Sequence, residues 1–190
     1  MKKLFNENAF TGLEAAIVLI AFIVVAAVFS YVVLGAGFFT TQKSQEVVHT
    51  GVSQASSSLE IVGYVYGQQS TTSTSTLGSI KFAVANTAGG TAVDVKQMVV
   101  TYVDEDHHNV VTRVDRNPTA GQWAVVDRYN NGDDTSDMLL EPGEQFVLQV
   151  AVPNPGANKP FTVNLQPAAG AVYPIKKTVP PAIDVYNILP

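Results

Sequence analysis

Hydrophobic and polar positions divide the chain into stretches with different rhythms. Residues 1–12, MKKLFNENAFTG, are short and mostly polar, with Lys2 and Lys3 near the start. Residues 15–39 then read AAIVLIAFIVVAAVFSYVVLGAGFF, without one charge. About 20 apolar residues in a helix span a bilayer, so this stretch predicts a membrane-competent helix. The two lysines before it keep its N-terminus cytoplasmic. Further on, the apolar positions thin to Val48, Val52, Ala55, Leu59 and Val62, at spacings of 4, 3, 4 and 3. That rhythm predicts that the helix runs on with a single apolar stripe, suited to docking on the chain's own outer domain. The expected helix covers residues 13–62 and ends at Gly63 as a C-cap, within an N-terminal segment 13–66. Its length is ~75 Å at 1.5 Å per residue, so only its first half can lie in a membrane.

Residues 67–78, GQQSTTSTSTLG, have no periodicity and predict a Ser/Thr-rich linker. The remainder, 79–190, alternates apolar and polar positions between turn signals. Strands are expected at 79–85, 93–103, 110–114, 122–126, 145–152, 161–165 and 172–178. Seven short strands without a helical pattern predict an immunoglobulin-like antiparallel β-sandwich, with Trp123 in or near its core. The fold class expected for the whole chain is therefore α+β, one long helix followed by the sandwich.

Charge and composition narrow the function. The formal net charge is −5, and from Gly63 onward 8 Lys+Arg face 12 Asp+Glu. An acidic domain is a poor ligand for nucleic-acid phosphates. The absence of cysteine removes disulfides, thiolate zinc sites and thiol nucleophiles together. No Gly-x-Ser-x-Gly elbow, phosphate loop or His-Glu-x-x-His motif occurs, so neither an enzyme nor a cofactor is expected. Asp104, Glu105, Asp106, His107 and His108 crowd one hairpin tip, but successive strand residues point to opposite faces, so a solvated turn is expected. Asp127, Asn131, Asp133 and Asp134 are weak candidates for a divalent cation. An EF-hand-like loop needs an oxygen donor where Tyr129 stands and a glutamate where Met138 stands. No Asn-x-Ser/Thr acceptor is present, because Asn117-Pro118-Thr119 is blocked by proline. Any glycan is expected on Ser70, Thr71, Thr72, Ser73, Thr74, Ser75 or Thr76 through oxygen.

A helix that is apolar all round must be covered by lipid or by other helices. Ile17, Ile20, Phe22, Val24, Val28, Tyr31, Leu34, Gly35 and Phe38 are the expected packing positions. The alanines between them, with Gly35 and Gly37, allow backbones to approach closely. Burying such a helix is worth tens of kcal/mol gross at ~25 cal/mol per Å², so it leaves the membrane only into a polymer. A solitary membrane anchor explains the first half of the helix but not the extended stripe.

Gly12-Leu13-Glu14, where the basic leader ends and the apolar run begins, resembles the class III signal of type IV pilins and archaellins. The stretches FTGLEAAIVLIAF and YVVLGAGFFTTQKSQEVVHTGV carry a closer resemblance to archaellins, extended weakly by LEPGEQFVLQV and VYPIKKTVPPAIDVYNILP. The resemblance implies cleavage between Gly12 and Leu13 by a membrane-embedded aspartyl peptidase. It also implies transient membrane insertion, delivery by a membrane assembly and motor complex, and self-assembly into an extracellular filament rotated for swimming. Bacterial type IV pilins carry a glutamate at the fifth mature residue, whereas Glu14 would be the second. Two roles stay open for it, pairing with the Leu13 amine of a neighbouring subunit to set register, or capping its own helix. The alternatives are an adhesive archaeal pilin and a membrane-anchored immunoglobulin-like binding module.

Overall fold

The computed structural model of the chain describes residues 7–87, 90–132 and 137–190. The chain divides into two compact units between residues 50 and 51. A single helix, α1, spans Glu7–Ser56 and supplies the first unit. No proline interrupts its sequence, and where no water reaches the backbone only a helix satisfies every amide within one segment. In its later turns, side chains bond back to the backbone. The hydroxyls of Thr40, Thr41 and Thr50 donate to the carbonyls of Ala36, Gly37 and Glu46 at 2.8, 2.9 and 2.8 Å. Lys43 pairs with Glu46 at 2.7 Å.

The helix is 50 residues long, but it is displaced toward the N-terminus from the expected span. It begins ahead of Gly12 and stops before Ser57 and Ser58, a residue type whose short hydroxyl competes with helical bonding. The predicted stripe therefore does not exist as one helical face. Val48 and Val52 are in the helix, 60% and 61% exposed, and the side chain of Ala55 lies outside the described residues. Leu59 and Val62 belong to a strand, β1, Leu59–Gln69. The signal for that strand was its content of Ile, Val and Tyr, which pack well on a pleated surface. Gly63 is no helix cap. It sits at φ +80° where the register with the next strand shifts between Val62 and Tyr66, as a bulge glycine does.

The turn into β1 is tightly held. Ser57 is buried, its hydroxyl lies 2.6 Å from that of Thr91, and the Ser58 carbonyl accepts from the Thr87 amide at 3.1 Å. Gly170, at φ +119°, presses its backbone against the Ser57 carbonyl, where an added Cβ would fall 1.7 Å from the oxygen.

The second unit is a mostly antiparallel sheet. After β1 come β2 (Leu77–Asn86), β3 (Val93–Asp94), β4 (Val99–Val103), β5 (His108–Arg113), β6 (Gln122–Tyr129), β7 (Leu139–Leu140), β8 (Gln145–Ala151), β9 (Pro160–Gln166), β10 (Tyr173–Thr178) and β11 (Tyr186–Ile188). Nine of them form one ladder in the order β10-β9-β4-β5-β6-β8-β2-β1-β11, and β3 pairs with β7 alone. Among the described residues, two antiparallel halves are joined by the parallel contact of β5 with β6, at Thr112↔Gln122 and Arg113↔Trp123. Alternation along the strands sends one face of each half into a single core that includes Trp123, Phe82, Phe146, Leu148, Val100, Tyr102 and Val163.

Two sequence expectations change here. The expected strand 93–103 is broken, because the Asp94 carboxylate accepts from the Lys96 amide at 2.8 Å and starts a 3-10 turn, Val95–Gln97. The expected linker 67–78 is a hairpin inside the sheet. Its first residues end β1, its last begin β2, and the Ser70 amide donates to the Thr76 carbonyl at 2.9 Å. Gln69 holds the loop from outside by donating to the carbonyls of Thr74 and Ile183. The sheet thus begins at Leu59 rather than at residue 79.

Candidate functional site

Glu7–Ser56 carries the feature that a soluble domain does not tolerate. Residues Gly12–Gln54 include an 18-residue window of mean hydropathy 3.1, none of it buried within the chain. The expected packing residues Ile17, Ile20, Phe22, Val24, Val28, Tyr31, Leu34 and Phe38 are all exposed, from 55% for Val24 to 81% for Tyr31. Ile17, Ile20, Val24, Val28, Tyr31, Gly35 and Phe38 recur at intervals of three and four and share one side. The other sides are equally apolar through Val18, Leu19, Ile23, Val25, Phe29, Val32 and Val33. Neighbours on every side are needed to cover such a helix. Gly35 and Gly37 have open space where a side chain would be, which is where another backbone can come close.

The Gly12–Leu13 bond lies inside the helix. Glycine lowers helix stability by about 1 kcal/mol against alanine, so Gly12 is a weak point in the first turns. Glu14 is exposed and, in the uncut chain, stands beyond the first turn. A carboxylate gains 0.3–1 kcal/mol from the helix dipole only within that first turn, so a cut before Leu13 would bring Glu14 into it.

The remaining candidates lie in the second unit. In the Ser70–Thr76 hairpin loop, Thr71, Thr72, Thr74 and Ser75 are exposed, while Ser70, Ser73 and Thr76 are half-buried. Several hydroxyls pair locally, Ser70 with Thr72 at 2.9 Å and Ser73 with Ser75 at 3.0 Å. Of the cation candidates, Asp127 lies on β6, exposed, and accepts from its neighbour's amide, that of Arg128, at 3.2 Å. Asn131 follows the strand, and Asp133 and Asp134 lie outside the described residues. Among the described residues no three acidic or histidine side chains cluster as a metal site would require.

The acidic tip between β4 and β5 is a built turn. Asp104, its side chain 9% exposed, accepts from Tyr102 Oη at 2.9 Å, from the amides of Asp106 and His107 at 2.8 and 2.6 Å, and lies 3.1 Å from His107 Nδ1. Burial alone would raise its pKa, but these hydrogen bonds outweigh burial and hold the carboxyl below its ordinary value. Burial and the bond to Asp104 push the Tyr102 phenol up. Lys159 closes the turn from the β9 side through an ion pair with Glu105.

Residues 9–177 match the family model for archaeal-type flagellin. The chain is 42% identical, over its full length and 98% of the relative, to a probable flagellin 1 of Archaeoglobus fulgidus. Among solved structures it is similar to the archaeal flagellum of Methanospirillum hungatei strain JF1, with 34% identity and a TM-score of 0.74. That likeness covers 93% of this chain and 98% of that one. A crystal structure of an archaeal flagellin from Methanocaldococcus jannaschii shares the fold at 15% identity and a TM-score of 0.55, over 69% of this chain and 95% of that one.

Proposed function

The chain belongs to the archaeal-type flagellin family and is a structural subunit of the homopolymeric archaellum filament on the cell surface, and from that premise we propose that α1 is the part that polymerises. The observation carrying this reading is a 50-residue helix, apolar on every side through its first half and uncovered by its own chain. Before assembly, lipid covers it, which makes a precursor in the cytoplasmic membrane. After assembly, the same helix of neighbouring subunits replaces the lipid, and the outer domain faces the medium. Rotation for swimming needs a stiff rod, and a bundle of long packed helices is one. The motor and the assembly complex act on the filament; no catalytic role is assigned to the subunit.

Processing fits the same scheme. A signal peptidase removes residues 1–12, after the first turns unwind at Gly12. The cut exposes the Leu13 amine, makes it the new helix start, and puts Glu14 where it caps that helix or meets a neighbour's amine. Filaments of Glu14→Gln separate these roles: unchanged resistance to dissociation leaves capping alone. Intact mass of sheared filaments tests the cleavage. A subunit starting at Leu13 is expected, with any added mass located on the Ser70–Thr76 hairpin. An uncut subunit, or one starting elsewhere, would overturn the processing scheme.

A further inference from the structure

The outer surface of the β1-side half of the sheet carries an aromatic face that folding does not use. Tyr64 and Tyr66 of β1, Tyr129 of β6 and Tyr186 of β11 all point away from the core, with Tyr64 and Tyr186 each 65% exposed. Four of the chain's seven tyrosines thus meet on one surface, while Tyr102, elsewhere in the domain, is buried. They line one shallow groove of about 400 Å³ together with Val147 and Lys81. The face extends past the groove, because exposed Ile188 is the direct partner of Tyr66 across the β1–β11 pairing. Singly exposed apolar residues are normal, but a contiguous aromatic surface marks a binding face, and tyrosine is enriched where proteins meet.

We propose that this tyrosine face is a second contact between copies of the chain in the filament, distinct from the helix core. The proposal rests on the assembly reading above, which supplies the neighbour. Three observations favour another copy as the occupant. The strand bearing Tyr64 and Tyr66 follows the end of α1 by two residues, so in every copy of an assembled filament a short stretch of chain ties it to a helix packed among other copies. Each outer domain is acidic, with 8 Lys+Arg against 12 Asp+Glu from Gly63 onward, so copies repel wherever acids face each other. The groove is lined by no carboxylate, and its one cation, Lys81, has no ion pair among the described residues. A neighbour's acidic surface is thereby offered an apolar floor and a free positive charge. In a helical filament such contacts are heterologous, each face meeting a different face of the next copy.

Tyrosine nitration of native filaments, compared with the same subunits dispersed in detergent, reads the contact without a mutation. Labelling at Tyr64 and Tyr186 is expected to fall at least about fivefold in filaments, while buried Tyr102 stays unlabelled in both and reports an intact domain. Equal labelling in both states overturns the proposal and leaves the face to some external ligand. Protection in both states overturns it too, because the single chain would then cover the face itself. Filaments bearing Tyr64→Ser and Tyr186→Ser are expected to form but to dissociate at a lower temperature; an unchanged temperature overturns the proposal. A chain that never enters filaments sinks the assembly reading and this contact together, whereas filaments with fully reactive tyrosines sink the contact alone.

Discussion

Single residues in the outer domain show how turns are held by polar groups that the core cannot supply. Asp104 accepts from two amides and from the Tyr102 phenol, and its side chain is nearly buried. Bonds to a charged acceptor are stronger than neutral ones, so Asp104→Asn is expected to lower stability by about 1–3 kcal/mol at neutral pH. The folded-state pKa of Asp104 lies below its ordinary value. Its contribution is therefore full above the unfolded-state pKa of about 3.9 and is lost as pH falls through the folded-state value. Denaturant unfolding at a series of pH values is expected to show the gap between native and variant closing on the acid side. A gap that stays constant would mean that the charge of Asp104 contributes nothing. Gly170 makes the complementary point, since no side chain fits between its backbone and the Ser57 carbonyl.

Elements in this chain serve two solvents. The strands alternate, with one face in the core and one in water, whereas α1 offers an apolar surface in all directions. A charge at the centre of such a helix costs about 2.5–3.5 kcal/mol on insertion scales and meets packed neighbours again in the filament. Val24→Asp is accordingly expected to abolish surface filaments, seen by electron microscopy of the cell surface, while the outer domain keeps its fold. Normal filaments from that variant would show that α1 is not the packing core. The end of α1 is not marked by the spacing of apolar residues. Val48, Val52, Ala55, Leu59 and Val62 satisfy helical spacing by coincidence, because Leu59 and Val62 lie three apart on one regular stretch of β1 and so point to opposite faces of a strand.

For the whole molecule, the balance is between a domain stable in water and a helix that is not. The outer unit buries its own core, from Trp123 to Leu165, within one chain. The helix has no such arrangement, and tens of kcal/mol of apolar exposure make polymer or lipid its only stable surroundings. Membership in the archaeal-type flagellin family selects the archaellum subunit over the adhesive pilin and the anchored binding module that the residues alone left open.

Local information was enough for whatever depends on runs of neighbours. The 25 uncharged residues at 15–39 declare the helix, and alternation places β2, β6, β8, β9 and β10 close to their expected spans, because burial on one face repeats every second residue. The glycine ahead of the apolar run also carried the family resemblance. Tertiary structure alone decided what depends on partners distant in sequence. Residues 59–69 became a strand because β2 and β11 offer ladders to both their edges, and their hydrogen bonds outweigh a stripe that continues the helix only on paper. The Ser/Thr tract became a hairpin because those strands pin its ends. The tyrosine face exists only because residues 64, 66, 129 and 186, apart along the chain, come to one surface when the sheet forms.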